Sequence, residues 1–350
     1  MLKPIRTFFR LLSIIIALGI GLFVLIFAGV IFFNSPPDKT PVSSNDAKIE
    51  DGYMLFEVKS GETADSVGRR LENAGAIKTR HFWYLVSRFG KEYLKAGTYR
   101  IEVPSSLIKI YSVLVNGEQL LIRVTIPEGV TIKKTALIFE EAGICGAEEF
   151  LAAASSREIL DNYRVPGPTM EGYLYTDTYL LPLNYPATKV VSVMADTFYK
   201  RLETILNEGM SPAEINKRVI IASIVEREYR IPEEAGLMAG VFFNRLKINM
   251  ALQSCATVVY VITEIQGLPH PEVLYNRDIE IKNPYNTYIR PGLPPGPISS
   301  PGETALRAAF NPVSSDYLYF RLTDENAGRH YFSRSLDDHI RAGALYVKGR

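Results

Sequence analysis

The chain begins with a long, uninterrupted run of apolar positions. Residues Leu11 to Phe33 carry no charge, and Ser13 is their one strongly polar side chain. As a helix this run would span roughly 35 Å, enough to cross the hydrocarbon core of a bilayer. A secretory signal has a shorter apolar region and ends in small residues at a cleavage site, which Ile31-Phe32-Phe33-Asn34 does not provide. Residues 1–34 are therefore predicted to form an uncleaved transmembrane anchor.

The charges around this run predict its orientation. Three basic residues and no acid precede it, whereas two acids and one lysine follow it. The positive-inside rule places such an N-terminus in the cytoplasm. We expect a single-pass protein of the inner (cytoplasmic) membrane, with everything after Asn34 on the periplasmic or extracytoplasmic side. The residues concerned are Lys3, Arg6 and Arg10 before the run and Asp38, Lys39 and Asp46 after it.

Two changes of pattern divide the next part of the chain. Residues 35–52 are rich in Pro, Ser, Asp and Lys, which predicts a flexible linker. Residues 53–126 alternate short strand-like and helix-like runs, which predicts a small α+β domain. Its expected strands cover 54–58, 96–101 and 120–126, and its expected helices begin after Thr63, at Thr79 and at Ser106.

Residues 127–350 have longer apolar helical runs and irregular segments rich in Pro and Gly. The helical part is expected from about Glu148 to Val347, with a strand pair near 317–322 and 330–333. The predicted fold class is α+β: a transmembrane helix, a small α+β domain, and a mainly helical domain with a short strand pair.

Composition and motifs exclude several classes of function. Of the 39 basic residues, three lie in the anchor, and the other 36 stand against 38 acids, which predicts no basic face for nucleic acid. The chain has no His-x-x-x-His or Cys-x-x-Cys pair, no Gly-x-Ser-x-Gly motif and no phosphate loop, so metal, serine-hydrolase and nucleotide sites are not expected. Cys145 and Cys255 are expected to be free, buried thiols. The class of chemistry that these observations leave open is catalysis by carboxylate side chains.

Glu226 and Glu228 lie at the end of an apolar run that is expected to be helical from 218 to 230. Two positions separate them, about 200° around a helix, so they cannot share a face. Glu228 follows the more apolar stripe of that helix. An apolar setting raises the pKa of a carboxyl group, which can then protonate a leaving oxygen, as glycoside cleavage requires. The alternative is that both glutamates end the helix in water, paired with Arg227 and Arg230.

Three loops downstream are dense in Tyr, Asn, Gln and Thr. Amides and hydroxyls bond the hydroxyl groups of sugars, and aromatic rings cover their apolar faces. The alternative is that these loops merely pack on a helical core. Glu226 is expected to bond a neighbouring loop or to orient Arg245. The residues expected to bind substrate are Glu226, Asn244, Arg245, Gln253, Thr257, Tyr260, Tyr285, Asn286, Thr287 and Tyr288.

Several segments, in order along the chain, resemble known proteins. Val58-Lys59-Ser60-Gly61-Glu62-Thr63 resembles the opening of a LysM module, a small glycan-binding fold, with a structural spacer as the alternative. The chain as a whole resembles the endolytic murein transglycosylases of the MltG/YceG-like family. The matching segments are Glu171 to Tyr179, Ala222 to Glu228, Val241 to Leu246, Asn283 to Tyr288, Gly292 to Ile298, Tyr317 to Phe320 and His330 to Ser333.

This resemblance implies a membrane-bound lytic transglycosylase with a lysozyme-like catalytic domain. Such an enzyme cleaves the β-1,4 bond between N-acetylmuramic acid and N-acetylglucosamine inside nascent peptidoglycan strands and leaves 1,6-anhydro ends. The resemblance implies one catalytic glutamate, in the register of Glu228, with no metal and no cofactor. It also implies a part in cell wall assembly and strand length control, with peptidoglycan synthases as partners.

The chain departs from the family pattern at two places. Cys255 and Ala256 stand where the family usually has Asp-Pro, and Thr176 stands where it usually has Pro. Two other functions therefore stay open. One is a membrane-tethered, non-catalytic scaffold that binds peptidoglycan, and the other is a muramidase that uses water on the same scaffold.

Overall fold

The computed structural model describes residues 3–39, 41–43, 47–90, 92–206 and 209–345, with side chains from Leu11 onward. The side chains of the three basic residues before the apolar run lie outside the described part, as do Asp46 of the predicted linker and Val347 at the predicted helical end. The described chain falls into two compact units, Met1–Leu121 with Pro182–Asn184, and Ile122–Leu181 with Tyr185–Arg350.

The predicted anchor is a single long helix. Helix α1 spans Lys3–Asn34, and its segment Leu11–Asn34 is long and apolar enough to cross a membrane. Large apolar side chains are exposed along that segment. Exposing so much apolar surface to water would be unfavourable, so the helix agrees with the prediction of a membrane anchor.

The first unit contains a three-stranded antiparallel sheet with two helices between its paired strands. Strand β2 lies in the centre, between β1 and β3, and its register with β3 runs from Tyr53 opposite Glu102 to Val58 opposite Gly97. The elements in chain order are β1 (Lys48–Glu50), β2 (Tyr53–Val58), α2 (Ala64–Asn73), α3 (Arg80–Phe89), β3 (Gly97–Glu102) and α4 (Leu107–Asn116).

Local chemistry explains where the helices of this unit begin. The hydroxyls of Thr63, Thr79 and Ser106 each accept a backbone N–H from the first turn of the helix that follows. These bonds satisfy donors that have no partner inside the helix. The core between sheet and helices contains Phe56 and Trp83, both fully buried.

The second unit is mainly helical. Two pairs of strands accompany its helices, β4 with β5 and β6 with β7. The elements in chain order are β4 (Leu121–Thr125), α5 (Ile132–Glu141), α6 (Ala147–Ala154), α7 (Arg157–Asn162), β5 (Thr178–Pro182), α8 (Ala187–Glu203), α9 (Pro212–Val225), α10 (Pro232–Lys247), α11 (Cys255–Tyr260), α12 (Asn276–Ile279), α13 (Glu303–Phe310), β6 (Tyr319–Asp324), β7 (Arg329–Ser333) and α14 (Leu336–Arg341). A π-helical turn, Val261–Ile265, extends α11, and a 3₁₀ turn, Ala342–Leu345, follows α14.

Helix α9 forms the centre of this unit. Every residue from Val219 to Val225 is buried, because this part of the helix is apolar on all sides. Helices α10 and α13 both pack against it. The turn that follows Val225, with Glu226 and Glu228, therefore begins in the middle of the unit.

The structure corrects the predicted extent of that helix. A helix from 218 to 230 was expected, but α9 ends at Val225, and a tight turn follows in which the N–H of Glu228 bonds the carbonyl of Val225 at 3.0 Å. Pro232 opens α10, and the residue before it, Ile231, is extended. A proline disfavours helical backbone at the preceding residue, so α9 cannot continue directly into α10.

Two further expectations differ from the structure. Residues Lys48–Glu50, inside the predicted linker, form β1, because they hydrogen-bond to β2. Cys145 is free and buried as expected, whereas Cys255 is free but exposed.

Candidate active site

Glu228 lies in the turn after α9 and lines a cavity of about 330 Å³. The cavity brings together residues from α10, the segment before α11, the loop at 288, strand β6 and helix α14. Its lining consists of Glu228, Phe242, Arg245, Leu252, Gln253, Ser254, Cys255, Tyr288, Tyr319, Phe320, Leu336 and His339. One carboxyl group is thus placed among amide, hydroxyl, guanidinium, imidazole and aromatic side chains.

Ser254 holds this carboxyl group in place. Its hydroxyl donates a hydrogen bond of 2.5 Å to Oε1 of Glu228. The backbone of Ser254 is fixed in turn, because its N–H donates to Oγ1 of Thr287 at 3.1 Å. Oγ1 of Thr287 lies 3.0 Å from Oγ1 of Thr257. Two buried threonines therefore set the position of the serine that contacts the glutamate.

The surroundings of Glu228 raise its pKa above the ordinary value. Burial is the largest cause, because removing a carboxylate from water disfavours its charged form. The hydrogen bonds from Ser254 and from the N–H of Ala256 act in the opposite direction, as do the charges of Arg227 and Arg230. The net effect favours a protonated carboxyl group facing the cavity, the form that a general acid needs.

Glu226 is turned away from this cavity. Its Oε2 accepts a hydrogen bond of 2.9 Å from the N–H of Gly302, in the loop before α13. Burial raises the pKa of Glu226 to about 7, and the nearby carboxylate of Glu128 acts in the same direction. The two glutamates lie in separate environments, and Glu226 does not line the cavity as a substrate-binding residue there would.

Arg245 reaches the cavity from α10 and is 8% exposed. Its Nε donates to the carbonyl of Leu318 at 2.6 Å, and its Nη1 donates to the carbonyl of Leu252 at 2.8 Å. Its guanidinium carbon lies 5.1 Å from the centre of the Tyr319 ring. Backbone carbonyls and an aromatic ring hold this cation, so the alternative in which Glu226 orients Arg245 is wrong.

Of the ten residues expected to bind substrate, three line the cavity: Arg245, Gln253 and Tyr288. Besides Glu226, the other six support the loops around it. Asn244 donates to the carbonyls of Ser315 and Tyr317, and Asn286 donates to the carbonyls of Ile279 and Ile281. Their amides are used within the protein, and neither residue lines this cavity.

The remaining four also belong to the supporting structure. Thr257 and Thr287 are buried and bond each other near Ser254. Tyr260 and Tyr285 pack together with 5.0 Å between their ring centres, away from the cavity lining. Most polar groups of these six residues therefore bond backbone or one another.

Sequence reasoning missed several residues of the lining, among them Ser254, Cys255, Tyr319 and His339. Sγ of Cys255 lies 3.0 Å from Oη of Tyr288, and the ring of His339 stacks on Tyr319 at 5.4 Å. Two signals were available: Cys255 departs from the family pattern, and Tyr319 lies in one of the segments that carry the resemblance. His339 comes from α14, more than a hundred residues beyond Glu228, and nothing local in the sequence marks it.

A second buried carboxyl group was also missed. Glu171 is 5% exposed, and its two oxygens each lie 3.1 Å from the N–H of Ile132, the first residue of α5. Burial raises its pKa to about 8. Glu171 opens one of the segments that carry the family resemblance, and here it caps a helix. Within the part of the chain that the structure describes, no group of three or more His, Cys, Asp or Glu side chains is placed to hold a metal ion.

Comparison with known proteins matches this chain over most of its length. The model of the YceG-like family matches residues 56–344. The endolytic murein transglycosylase of Streptococcus pneumoniae strain D39 is 29% identical over 348 residues, covering 89% of this chain and 60% of that protein. The endolytic murein transglycosylase of Bacillus subtilis is 28% identical over 315 residues, covering 84% of this chain and 85% of the relative. This chain therefore spans less than two thirds of the pneumococcal relative.

A solved structure is also similar. The crystal structure of a yceG-like protein from Listeria monocytogenes superimposes with a TM-score of 0.53 at 28% identity, covering 83% of this chain and 98% of that one. That structure is therefore similar to this chain in both sequence and fold.

Proposed function

The chain belongs to the YceG-like family, and from that premise we propose that it is a membrane-anchored endolytic lytic transglycosylase of peptidoglycan. The relatives from Streptococcus pneumoniae and Bacillus subtilis, which match 89% and 84% of this chain, are named endolytic murein transglycosylases. The proposed substrate is the glycan strand of nascent peptidoglycan, cut at the β-1,4 bond between N-acetylmuramic acid and N-acetylglucosamine. The proposed role is in cell wall assembly and the control of strand length.

The observation that carries this proposal is the hydrogen-bonded carboxyl group of Glu228 at the wall of the cavity. Its raised pKa supports a protonated state in which it donates a proton to the glycosidic oxygen. The resulting carboxylate then accepts the proton of the muramic acid 6-hydroxyl as that oxygen attacks C1. The substrate supplies the nucleophile, so the step needs no second carboxylate, and it yields a 1,6-anhydro ring.

Other residues of the cavity are proposed to bind the sugar. Arg245 offers a cation to carbonyl or carboxylate groups, and Gln253 offers an amide to hydroxyl groups. Tyr288 and Tyr319 offer aromatic faces. Glu226 is proposed to fix the loop at Gly302 rather than to contact substrate, because its carboxylate already accepts a backbone N–H there.

The experiment compares Glu228→Gln with Glu226→Gln in the full chain, solubilised in detergent and incubated with purified peptidoglycan. Glutamine keeps the shape of Glu228 but has no carboxyl proton to donate. Positioned acid–base catalysis contributes about 10²–10⁴-fold, so Glu228→Gln is expected to abolish detectable cleavage while Glu226→Gln loses less. Mass spectrometry of the products distinguishes anhydro ends from hydrolysed ends, which are heavier by one water.

The result can contradict the proposal in three ways. Normal turnover in Glu228→Gln with loss in Glu226→Gln would exchange the two roles. Hydrolysed ends in place of anhydro ends would make the protein a muramidase. Absence of cleavage by the folded wild type would favour a non-catalytic scaffold, an alternative raised by Cys255 and Ala256, which stand where the family usually has Asp-Pro.

We propose that the chain has four parts: an anchor at 1–34, a linker at 35–52 whose last residues add β1 to the sheet of the next part, a LysM-like domain at 53–126 and a lysozyme-like catalytic domain at 127–350. The order strand, helix, helix, strand from β2 to β3 supports the LysM-like assignment, and this domain is proposed to bind or position glycan. Deleting it is expected to leave residual cleavage, and complete loss in a folded deletion would make it part of the active site.

The proposed location is the inner membrane, with the chain after Asn34 outside the cytoplasm and peptidoglycan synthases as partners. The apolar helix and the basic residues before it support this topology. A reporter that matures only in an oxidising compartment is expected to be active when fused after Arg350. Activity of a cytoplasm-only reporter at that position would reverse the topology.

A further inference from the structure

The end of the apolar helix α1 is fixed to the folded part of the first unit. Oδ1 of Asn34, the last residue of α1, accepts a hydrogen bond of 3.0 Å from the N–H of Ile108 in the first turn of α4. The ring of Phe33 lies 5.9 Å from the ring of Phe82 on α3. These contacts place the beginnings of α3 and α4 directly at the end of the apolar segment.

A lysine adds to this junction. Nζ of Lys78, just before α3, donates to Oγ of Ser35 at 2.7 Å and lies 4.1 Å from the centre of the Phe32 ring. A cation beside the last aromatic rings of an apolar helix is typical of the boundary between hydrocarbon and headgroups. The first turn of α3 is therefore at the level where α1 would leave the bilayer.

Helix α3 carries an apolar stripe that starts at this junction with Phe82, which is partly buried against the core of the first unit, and continues into exposed residues. Phe82, Leu85 and Phe89 fall within about 60° of one another around the helix. Leu85 is 49% exposed and Phe89 is 81% exposed, whereas Trp83, on the other side, is fully buried in the core. The stripe runs about 10 Å along the helix from Phe82 to Phe89. It begins beside Phe33, because the ring of Phe82 lies 5.9 Å from the ring of Phe33.

All charged side chains in this segment are basic. The sequence from Ala74 to Gly90 contains Lys78, Arg80 and Arg88 and no acid. A helix with basic residues beside an apolar aromatic face is typical of segments that lie in the plane of a membrane surface. Anionic lipid headgroups attract such lysines and arginines. The basic charge and the apolar surface of this segment thus both favour contact with a lipid bilayer.

We propose that the stripe Phe82, Leu85 and Phe89 inserts into the interfacial layer of the bilayer that α1 crosses, so that the first unit rests on the membrane surface. This proposal rests on the proposed transmembrane placement of α1. The occupant of the stripe is lipid, because the stripe continues the apolar surface of α1 without a break at Phe33 and Phe82. Membrane contact would hold this unit in one orientation relative to the bilayer.

The test uses the full chain reconstituted in vesicles of phosphatidylethanolamine and phosphatidylglycerol. The chain contains a single tryptophan, Trp83, which is buried and supplies a constant background. Phe89→Trp adds a reporter on the stripe. Tyr84→Trp is the matched control, because Tyr84 is 50% exposed on the same helix but about 140° away from Phe89. Phe23→Trp, in the middle of α1, reports on the anchor.

Lipids with bromine at a shallow or a deep position of the acyl chains quench tryptophan that reaches them. The expected result is loss of the added emission of Phe89→Trp with shallow bromine, and little loss for Tyr84→Trp. Quenching of Phe23→Trp together with equal, weak quenching at positions 89 and 84 would overturn the proposal while leaving the anchor intact. Absence of quenching in Phe23→Trp would overturn the anchor, and the membrane contact with it.

Discussion

The hydroxyl of Ser254 donates its hydrogen bond to Glu228, although Ser254 is the residue that precedes α11 and makes no side-chain cap to that helix. A serine in this position normally accepts an N–H from the first turn of its helix. Here the hydroxyl is directed to the carboxyl group instead. The bond favours the charged form of Glu228, while burial favours the neutral form and has the larger effect.

Ser254→Ala is expected to change the pH dependence of cleavage. Removing a bond that stabilises the carboxylate raises the pKa of Glu228 further, so the proton donor persists to higher pH. A hydrogen bond to a charged group is worth about 1.5–3 kcal/mol, which corresponds to a shift on the order of one pH unit or more in the alkaline limb. Turnover at the optimum is expected to fall, because the carboxyl group loses its fixed position. The measurement is kcat against pH on purified peptidoglycan.

Ser254→Thr is the control for this change, since threonine keeps the hydroxyl and restores the bond. It is expected to recover most of the turnover and the original alkaline limb. An alkaline limb at the same pH in wild type and Ser254→Ala would show that Ser254 does not act on the pKa of Glu228.

Thiol reagents are expected to inactivate the protein through Cys255. Its side chain is exposed and lines the cavity with Glu228, whereas Cys145 is buried and burial raises the pKa of that thiol to about 11. Burial also raises the pKa of Cys255, so the reaction is expected to be slow at neutral pH and faster as pH increases. The measurement is residual cleavage after treatment with iodoacetamide, alongside mass spectrometry of the labelled peptide.

Cys255→Ser is expected to remain active after the same treatment, and Cys145→Ser to be inactivated like the wild type. Labelling of Cys255 with full retention of cleavage would mean that the cavity does not hold the scissile bond.

Arg245 is expected to be needed for stability as well as for binding. Arg245→Met leaves the buried carbonyl of Leu252 and the partly buried carbonyl of Leu318 without this donor, at a cost of about 1–3 kcal/mol for a fully buried group. The thermal unfolding midpoint, followed by circular dichroism in detergent, is expected to fall by several degrees. Arg307→Met is the control, because Arg307 is half-exposed and its ion pair with Glu303 contributes little. Equal midpoints for the two variants would contradict the structural role of Arg245.

The sequence predicted local elements well because their signals are local. The hydroxyls of Thr63 and Thr79 precede the helices that they cap, and the strand expected at 54–58 is present as β2, Tyr53–Val58. The end of α9 was misplaced by five residues, because residues 226–230 contain no glycine or proline to mark the end of a helix, and the first proline after Val225 is Pro232.

The residues of the candidate site were predicted only in part, and the reason differs from that for the helix end. The sequence indicated which loops surround Glu228, but the direction of each side chain depends on tertiary packing. Asn286 has the amide that a sugar site uses, and yet its Nδ2 bonds the carbonyls of Ile279 and Ile281. His339 has no local signal and reaches the cavity because α14 packs beside β6. Polar composition therefore indicated loops that lie near Glu228, but it did not predict which groups their side chains contact.

Glu171 is expected to make the stability of the protein fall as pH rises. Its pKa is about 8 in the folded chain and about 4.5 when unfolded, because the folded chain buries it beside the N–H of Ile132. Below about pH 4.5 the group is protonated in both states and contributes no pH dependence. Between about 4.5 and 8 only the folded state keeps the proton, so the free energy of unfolding decreases with rising pH. Each pH unit within that window corresponds to about 1.4 kcal/mol at most.

Glu171→Gln removes this titration while keeping an oxygen that can accept the N–H of Ile132. Its free energy of unfolding is therefore expected to vary less between pH 5 and pH 8 than that of the wild type, with the variant gaining relative stability at the higher pH. Glu203→Gln, at an exposed position at the end of α8, is the matched control and is expected to follow the wild type. Chemical denaturation in detergent at both pH values measures the difference. If Glu171→Gln and the wild type lose the same stability between pH 5 and pH 8, then Glu171 is ionised in the folded protein, and its contact with α5 is that of a charged cap.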